Sequence, residues 1–292
     1  MKKIIYLFSS LYFLIISSGM AQSPKDSTAI AQIKWNKHKI EKGIVWKQAH
    51  FDDLYQAHQE VNILEIDLNK KKIDIDFAGL ATGLELTSEF VKNNDAIGGI
   101  NGGFFDVKDG GSVTFLKIDN KIVNTTTMNT GEERSDRTNG AIIINGNSGK
   151  ENIDILGTEL TNMNWEDSID APDIMVCGPL LIMDEAYVIL AKNAFNDNRH
   201  PRSAVALNGN KLILMTVDGR SNQSYGMSLP ELAYFLKQIG AEKALNLDGG
   251  GSTTLVLNTP IKSGVLNYPS DNKQFDHEGE RPVASVILIK KK

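Results

Sequence analysis

Three short apolar runs in this sequence each end in a polar residue followed by glycine. They lead into Asn101-Gly-Gly-Phe-Phe-Asp106, Asp218-Gly-Arg220 and Asn246-Leu-Asp-Gly-Gly-Gly-Ser-Thr253. Short apolar runs bounded by turn residues are typical of buried strands. A tight turn would explain a single Asp-Gly, whereas three consecutive glycines let the backbone approach a bound group closely. The pattern therefore predicts a sheet whose strand ends form a ligand site.

Alternating apolar residues predict further strands. Alternation over residues 63–68 and 73–77, interrupted by Asn69-Lys-Lys-Lys72, predicts a β-hairpin. Helices are predicted from Thr87 to Lys92 and after Ser228-Leu-Pro-Glu231, a capping box with proline in the first turn. The sequence thus predicts an α+β fold in a single domain, with one or more β-rich mixed sheets and a few packed helices.

The first residues have the pattern of a signal peptide. Lys2 and Lys3 precede an apolar run over residues 4–16, and the small residues 17–21 fit a cleavage site. We expect a signal peptide over 1–21, an N-terminal arm with the first strand over 22–60, and the main domain over 61–292. Export to the periplasm or the extracellular space would follow, with no stable membrane span after cleavage; an uncleaved anchor is the alternative.

Charge and cysteine content exclude several classes of protein. The formal net charge of −5 argues against a nucleic-acid surface, so an anionic ligand would need local arginines and backbone amides. The single Cys177 excludes an internal disulfide and is expected to be a small buried residue. The oligomeric state is not determined by the sequence.

Several arginines are candidates for binding such an anion. Arg202 and Arg220 adjoin apolar strands and are predicted to point into the site. Arg281 follows Glu280 just before the last strand, and these two residues are either part of the site or a structural ion pair. The long polar stretch from Lys262 to Glu280 is predicted to be an active-site lid or a disordered loop.

The sequence offers little support for a metal or another cofactor. The five histidines include no spaced metal-binding pair such as HExxH, so no metal site and no cofactor are predicted. Carboxylate oxygens of Asp106, Asp218 and Asp248 leave a hard divalent cation such as calcium or magnesium open.

The glycine segments belong to a longer set of motifs that resembles the phosphodiester glycosidase family. The set spans about two thirds of the chain in the order expected for that family. Its further members are Gly178-Pro-Leu180, Arg202-Ser-Ala-Val-Ala206, Thr216-Val-Asp-Gly-Arg220, Gly226-Met-Ser-Leu-Pro-Glu-Leu-Ala233 and Glu280-Arg-Pro-Val283. The resemblance implies a catalytic domain over 61–292 that hydrolyses the glycosidic bond of a sugar-1-phosphodiester in a glycan, with an α-N-acetylglucosaminyl phosphodiester-like substrate.

The resemblance also suggests roles for individual residues. Breaking a glycosidic bond usually requires a carboxylate near the anomeric carbon, and a phosphate leaving group suits an arginine and amide clamp. Asp248 is the expected nucleophile or base, with Asp218 as the competing carboxylate. The remaining expected substrate-binding residues are Asn101, Gly102, Arg202, Arg220, Asn246, Gly249, Gly250, Gly251, Ser252, Thr253, Glu280 and Arg281.

Within that set, Arg202, Arg220 and the 249–251 amides would bind the phosphate. Asn101 and Asn246 would hold sugar hydroxyls or the acetamide. Two other functions remain open: a non-catalytic carbohydrate-binding module of the cell envelope, and a metal-dependent phosphodiesterase that cleaves the P–O bond instead.

Overall fold

The computed structural model of the protein describes residues 23–129, 131–146 and 153–292, so the predicted signal peptide lies outside the described residues. The helices in these ranges are α1 (Pro24–Ala31), α2 (Thr87–Asn93), α3 (Ala194–Asp197) and α4 (Leu229–Gln238). The strands are β1 (Asn36–Glu41), β2 (Ile44–Leu54), β3 (Ala57–Asp67), β4 (Ile73–Gly79), β5 (Gly98–Asn101), β6 (Leu116–Ile118), β7 (Lys121–Asn124), β8 (Gly140–Ile144), β9 (Ile153–Gly157), β10 (Asp173–Cys177), β11 (Leu180–Met183), β12 (Ala186–Tyr187), β13 (Arg202–Asn208), β14 (Lys211–Val217), β15 (Lys243–Asn246), β16 (Leu255–Asn258), β17 (Ser263–Val265) and β18 (Ser285–Lys291).

The strands form three sheets. The largest has eight strands in the order β1-β2-β3-β14-β13-β15-β11-β12. The other two have five strands each, in the orders β7-β6-β10-β8-β9 and β17-β16-β5-β18-β4. The prediction of a β-rich α+β fold in a single domain is confirmed. The sheets were expected to be mixed, whereas the pairings between these strands are antiparallel.

The central strands β3, β13 and β14 of the eight-stranded sheet are largely buried on both faces. Successive side chains of each strand point to opposite sides. Leu64 and Leu214 face the two smaller sheets and share one core with Ile287. Ile63 and Met215 face the other way, into a core that includes α4. Burial of each such side chain stabilises the fold by about 1.5–3 kcal/mol, so the sheet forms a rigid base for the loops at its ends.

The predicted capping box at the start of α4 is confirmed. The Ser228 hydroxyl accepts a hydrogen bond from the Glu231 amide at 3.3 Å, and the Glu231 carboxylate accepts one from the Ser228 amide at 2.9 Å. Gly240, just past the helix, has a φ of +97°. The helix from Thr87 is also present, as α2. Among the described residues, no helix has both the length and the apolar character that crossing a bilayer requires.

The predicted hairpin over residues 63–77 is wrong in its pairing, although both strands exist. β3 pairs with β2 and β14, whereas β4 pairs with β18 in a different sheet. Leu64 of β3 and Ile75 of β4 pack into the same core from opposite layers. The Asn69–Lys72 connection therefore carries the chain between layers, and the boundary expected at residue 60 falls inside β3.

Candidate active site

The ends of β5 and β13 meet the glycine segment through the side chain of Asn101. Its amide nitrogen donates a 2.7 Å hydrogen bond to the main-chain carbonyl of Asp248. Its carbonyl oxygen accepts hydrogen bonds from the Ser203 hydroxyl at 2.6 Å and the Thr254 amide at 3.1 Å. Asn101, predicted to contact the sugar, is fully buried, and its side chain holds the backbone on both sides of the glycines.

Asn267 links the end of β14, where Asp218 lies, to the glycine segment. The Asn267 amide donates hydrogen bonds to the Asp218 carboxylate at 2.9 Å and to the Thr253 carbonyl at 3.0 Å. Its side-chain oxygen accepts a hydrogen bond from the Leu255 amide at 2.8 Å. Sequence reasoning missed Asn267, and the only signal was a polar residue beside the apolar pair Val265-Leu266. Three strand ends therefore lie at one site.

The stretch from Lys262 to Glu280 is an ordered loop that packs onto this site. It contains β17, and the Tyr268 ring stacks on Phe275 and His277 at centroid distances of 4.0 and 4.5 Å. The Tyr268 amide donates a 2.8 Å hydrogen bond to the Asp218 carboxylate. The alternative of a disordered loop is thus wrong, because the loop is held by buried hydrogen bonds and ring stacking.

Asp248 is only partly exposed, and its backbone amide donates a 3.0 Å hydrogen bond to the Gly102 carbonyl. Burial raises the pKa of the Asp248 carboxyl to about 6. The Ser252 hydroxyl and the Gly249 amide each oppose this rise in the pKa of Asp248. No hydrogen bond of ordinary geometry joins the Ser252 hydroxyl to the Asp248 carboxylate. The positive charges of Arg281 and Arg137 act in the same direction, so Asp248 lies within the field of two arginines.

Arginines cover the glycines that follow Asp248. A Cβ atom added to Gly250 would lie 2.9 Å from Nη2 of Arg220, and one added to Gly251 would lie 2.5 Å from Nη2 of Arg281. These glycines are therefore required where guanidinium groups approach the backbone. Arg137, a candidate arginine for which the sequence left a site role and a surface role equally open, has its guanidinium 4.0 Å from the centroid of the Phe195 ring. Its charge acts on Asp248.

Several buried oxygens of the site have no hydrogen-bond partner among the residues that the structure describes. They are Ser252 Oγ, Thr253 Oγ1, Thr254 Oγ1 and Asp218 Oδ2. Buried polar atoms are paired in the large majority of cases, because an unpaired one costs about 1–3 kcal/mol. Four such atoms lie around one segment, and three of them belong to the residues that directly follow the glycines.

Asp218 differs from Asp248 in its surroundings. Its side chain is fully buried, and burial raises the pKa of its carboxyl to about 7, against the opposing effect of Asn267 and the Tyr268 amide. Near neutral pH a large fraction of Asp218 is therefore protonated. Two carboxyls with raised pKa values in different environments are typical of catalytic sites.

Other predicted site residues are engaged elsewhere in the protein. The guanidinium of Arg202 is buried and donates to the carbonyls of Met227, Phe195 and Asn198 at 2.7–2.9 Å. Burial lowers the pKa of Arg202 to about 9, and the charge of Arg137 adds to this effect. The Asn246 amide donates to the Gly178 carbonyl at 2.8 Å. Both residues thus support the walls of the site.

Glu280 and Arg281 do not pair with each other. The Glu280 carboxylate accepts a 3.0 Å hydrogen bond from the Ser88 amide in the first turn of α2. Arg281 forms an ion pair with Asp271, in which Nε lies 3.1 Å from Oδ1. Arg281 therefore borders the glycine segment while Glu280 faces a helix.

A cleft of about 600 Å³ adjoins the glycine segment. Arg220 lies between the two, since it approaches Gly250 and also lines the cleft. The other lining residues are mostly polar, with two aromatic side chains: Gly219, Ser221, Asn222, Gln223, Tyr225, Ser270, Lys273, Gln274 and Phe275. Such a surface suits a polar ligand with ring faces, such as a sugar.

The three aspartates considered for a hard cation do not form one ligand set in the described part of the chain. Asp106 Oδ1 accepts hydrogen bonds from the amides of Lys108 and Asp109 in its own turn. Within residues 23–129, 131–146 and 153–292, one group of three potential metal-binding side chains has its ligand atoms within 4.8 Å of one another. The group consists of His50, Asp52 and His58.

Cys177 is buried as predicted, and burial raises the pKa of its thiol, which argues against a nucleophilic role.

The site places two carboxyls with raised pKa values beside arginines and a glycine segment, a combination suited to binding an anionic group. The sequence model of the phosphodiester glycosidase family matches residues 94–290. The chain therefore belongs to the phosphodiester glycosidase family, as the resemblance of its motifs predicted.

Named relatives include N-acetylglucosamine-1-phosphodiester α-N-acetylglucosaminidases. The Mus musculus enzyme is 30% identical over 199 residues, which are 65% of this chain and 36% of that enzyme. The Homo sapiens enzyme is 40% identical over 80 residues, which are 27% of this chain and 15% of that enzyme. The match thus spans about a third of the length of the mouse enzyme.

Two solved structures share the fold. The catalytic domain of the zebrafish N-acetylglucosamine-1-phosphodiester α-N-acetylglucosaminidase, auto-inhibited by its pro-peptide, has a TM-score of 0.64 at 22% identity, over 88% of this chain and 86% of that one. A hypothetical protein from Synechocystis has a TM-score of 0.65 at 17% identity, over 88% of this chain and 64% of that one. At these identities the likeness establishes the fold alone.

Proposed function

We propose that the protein hydrolyses the glycosidic bond of a sugar-1-phosphodiester, with an α-N-acetylglucosaminyl phosphodiester-like substrate in a glycan, in the periplasm or the extracellular space. The observation that carries the proposal is the position of Asp248, a partly exposed residue at the start of the glycine run whose carboxyl lies within the field of Arg281 and Arg137. The family membership supports the same reaction class.

In this reaction the bond between the anomeric carbon and the phosphate oxygen breaks. The phosphate monoester leaves with the bonding electrons, and water supplies the hydroxyl that ends on the sugar. Asp248 acts on the anomeric carbon as a nucleophile, or removes the proton of the attacking water as a base. Its raised pKa of about 6 leaves it mainly ionised at neutral pH, as either role requires.

The phosphate leaving group is stabilised by positive charge. Arg220 and Arg281 approach the glycines, and the charge of Arg137 acts on Asp248. Guanidinium groups bind phosphate oxygens through paired hydrogen bonds. A phosphate monoester is a good leaving group, and the arginines stabilise its developing negative charge. The reaction therefore does not need a strong general acid. The substrate group beyond the phosphate would then enter the cleft next to Arg220.

Asp218 has a supporting role in this proposal. Its carboxyl is fully buried and its Oδ1 atom binds Asn267 and the Tyr268 amide. A fully buried carboxyl cannot contact the anomeric carbon unless the 267–268 segment moves. We therefore assign the reacting carboxylate to Asp248 and the positioning of the 262–280 loop to Asp218.

The decisive experiment is hydrolysis of a synthetic sugar-1-phosphodiester in ¹⁸O-labelled water. Label in the sugar supports C–O cleavage and the glycosidase. Label in the phosphate would instead establish P–O cleavage, as in a phosphodiesterase, and saccharide binding without any product would establish a non-catalytic binding module. Asp248→Asn should lower kcat by about three orders of magnitude or more, whereas the matched control Asp106→Asn, in a surface turn, should not.

A further inference from the structure

Four polar side chains lie together at one end of the β2–β3 ribbon. His50 stands directly opposite Glu60 in the strand register, and Asp52 and His58 lie two residues further along each strand towards the turn. Residues two apart in a regular strand share one face, and cross-strand neighbours on that face are close. The pairing shifts register between Phe51 and Leu54, and the side chains of Asp52 and His58 nevertheless lie close to that of His50. Further along β3 the same face carries Leu64 into the core. The apolar side chains of this face therefore give way to titratable groups at the end of the ribbon nearest the turn.

Three of these side chains converge on one point. Asp52 Oδ1 lies 3.5 Å from His50 Nε2 and 4.0 Å from His58 Nδ1, and all three ligand atoms lie within 4.8 Å of one another. Metal bonds of about 2.0–2.2 Å in a tetrahedral site place ligand atoms roughly 3.2–3.6 Å apart. Small rotations of exposed side chains therefore suffice to close the set around one ion.

The fourth side chain, Glu60, orients the first histidine. Its carboxylate lies 3.0 Å from His50 Nδ1, and its other oxygen accepts a 2.9 Å hydrogen bond from the Gln48 amide. The Glu60 side chain is only 8% exposed. Histidines that bind metals usually donate their second ring N–H to a carboxylate in this way, which leaves the other nitrogen free for the metal.

The turn that joins the two strands is held in place. The Tyr55 amide donates a 2.8 Å hydrogen bond to Asp26 of α1, and the Tyr55 hydroxyl donates one of 3.0 Å to the Glu231 carbonyl in α4. The His58 carbonyl accepts a 3.0 Å hydrogen bond from the Tyr225 amide. The ribbon therefore presents these side chains from a rigid scaffold, next to the loop that lines the cleft.

We propose that His50, Asp52 and His58 bind a divalent transition-metal ion, with Glu60 as the carboxylate that positions His50. Two imidazoles and one carboxylate favour Zn²⁺, Cu²⁺ or Ni²⁺ over Ca²⁺ and Mg²⁺, which prefer oxygen ligands. Three protein ligands leave a fourth position for water or a ligand group. This site is separate from Asp248 and does not depend on the proposed hydrolysis.

Calorimetric titration of the chelator-treated, purified protein with Zn²⁺ tests the site. The wild type should bind one Zn²⁺ per chain, and His50→Ala, His58→Ala and Asp52→Asn should each weaken binding at least tenfold. Glu60→Gln should weaken it by about 10–100-fold. The matched control is His38→Ala on β1, whose ring stacks on Trp46 outside the cluster and whose loss should leave the affinity unchanged.

A second measurement separates coordination from nonspecific binding. Co²⁺ bound by the wild type should give the visible absorption of a tetrahedral centre, and His58→Ala should lose it. The Asp52 side chain is 91% exposed, so Asp52→Asn should fold normally. This variant therefore still tests the proposal if a histidine variant fails to fold. Absence of one-to-one Zn²⁺ binding, or wild-type affinity in both histidine variants, would overturn the proposal. Neither readout uses hydrolysis, so the result is independent of the glycosidase assignment.

Discussion

The side chain of Asn101 holds Asp248 through a 2.7 Å hydrogen bond to its main-chain carbonyl. The same side chain accepts a hydrogen bond from the Thr254 amide, so it contacts the glycine segment at both ends. Asn101 belongs to β5 in a five-stranded sheet, whereas Asp248 follows β15 in the eight-stranded sheet. The position of the proposed catalytic carboxylate is therefore fixed across the contact between two sheets.

Replacing Asn101 should loosen this contact. Asn101→Ala removes three buried hydrogen bonds and leaves their partners unpaired, so we expect a loss of about 2–4 kcal/mol in the free energy of unfolding. Ser203→Ala removes one of the three and should cost about 1 kcal/mol. Urea unfolding of both variants measures the difference. Equal stability of the two variants would contradict this role of Asn101.

The pH dependence of activity should report the ionisation of Asp248. Because the reacting carboxylate must be ionised, kcat/KM should rise with pH through an apparent pKa near 6. The charge of Arg281 lowers the pKa of Asp248, so Arg281→Gln should move this acidic limb to higher pH. The matched control Lys37→Gln, exposed on β1, should leave the limb in place. A limb that moves to lower pH in Arg281→Gln would refute the assignment.

The buried Asp218 should make the stability of the protein depend on pH. Its folded pKa of about 7 lies above the ordinary value of 3.8, so the folded state holds the proton more tightly than the unfolded chain. The resulting stabilisation is fully present below about pH 3.8 and is lost as the pH rises through about 7, with a total on the order of 4 kcal/mol. Asp218→Asn carries no proton to lose and should lack this decline.

Urea unfolding of the wild type and Asp218→Asn at several pH values between 5 and 8 measures that effect. The stability of the variant relative to the wild type should increase with pH. Asp109→Asn, at an exposed aspartate, serves as the matched control and should follow the wild-type profile. A constant difference between wild type and Asp218→Asn would show that Asp218 does not titrate in this range.

The glycine beneath Arg281 should be intolerant of a side chain. A Cβ atom at Gly251 would lie 2.5 Å from both Arg281 Nη2 and Asp271 Oδ1, so Gly251→Ala must displace that ion pair. If Arg281 binds the substrate phosphate, KM for the phosphodiester should rise about tenfold or more. Gly131→Ala is the control, since nothing lies within 4 Å of the added atom there. An unchanged KM in Gly251→Ala would argue against a phosphate role for Arg281.

Local features of the fold were predictable from the sequence because their causes are local. The capping box of α4 involves residues three apart, and the positive φ of Gly240 terminates the same helix. The polar strand ends were predicted for a similar reason, since a buried strand must stop where polar residues and glycines begin. The pairing of β3 and β4 was not predictable, because two alternating strands can pair side by side or face each other across a core.

The sequence by itself determined the family, the β-rich fold and the glycine segment that carries Asp248, because these rest on short contiguous motifs. Only the tertiary structure brought Asn267 and Arg137 to that segment, and it separated the buried Asp218 from the partly exposed Asp248. It also placed His50 and His58 on one face of a ribbon. Hydrogen bonds, burial and charge act between residues that are distant in the chain, and no local pattern records which distant residues will meet.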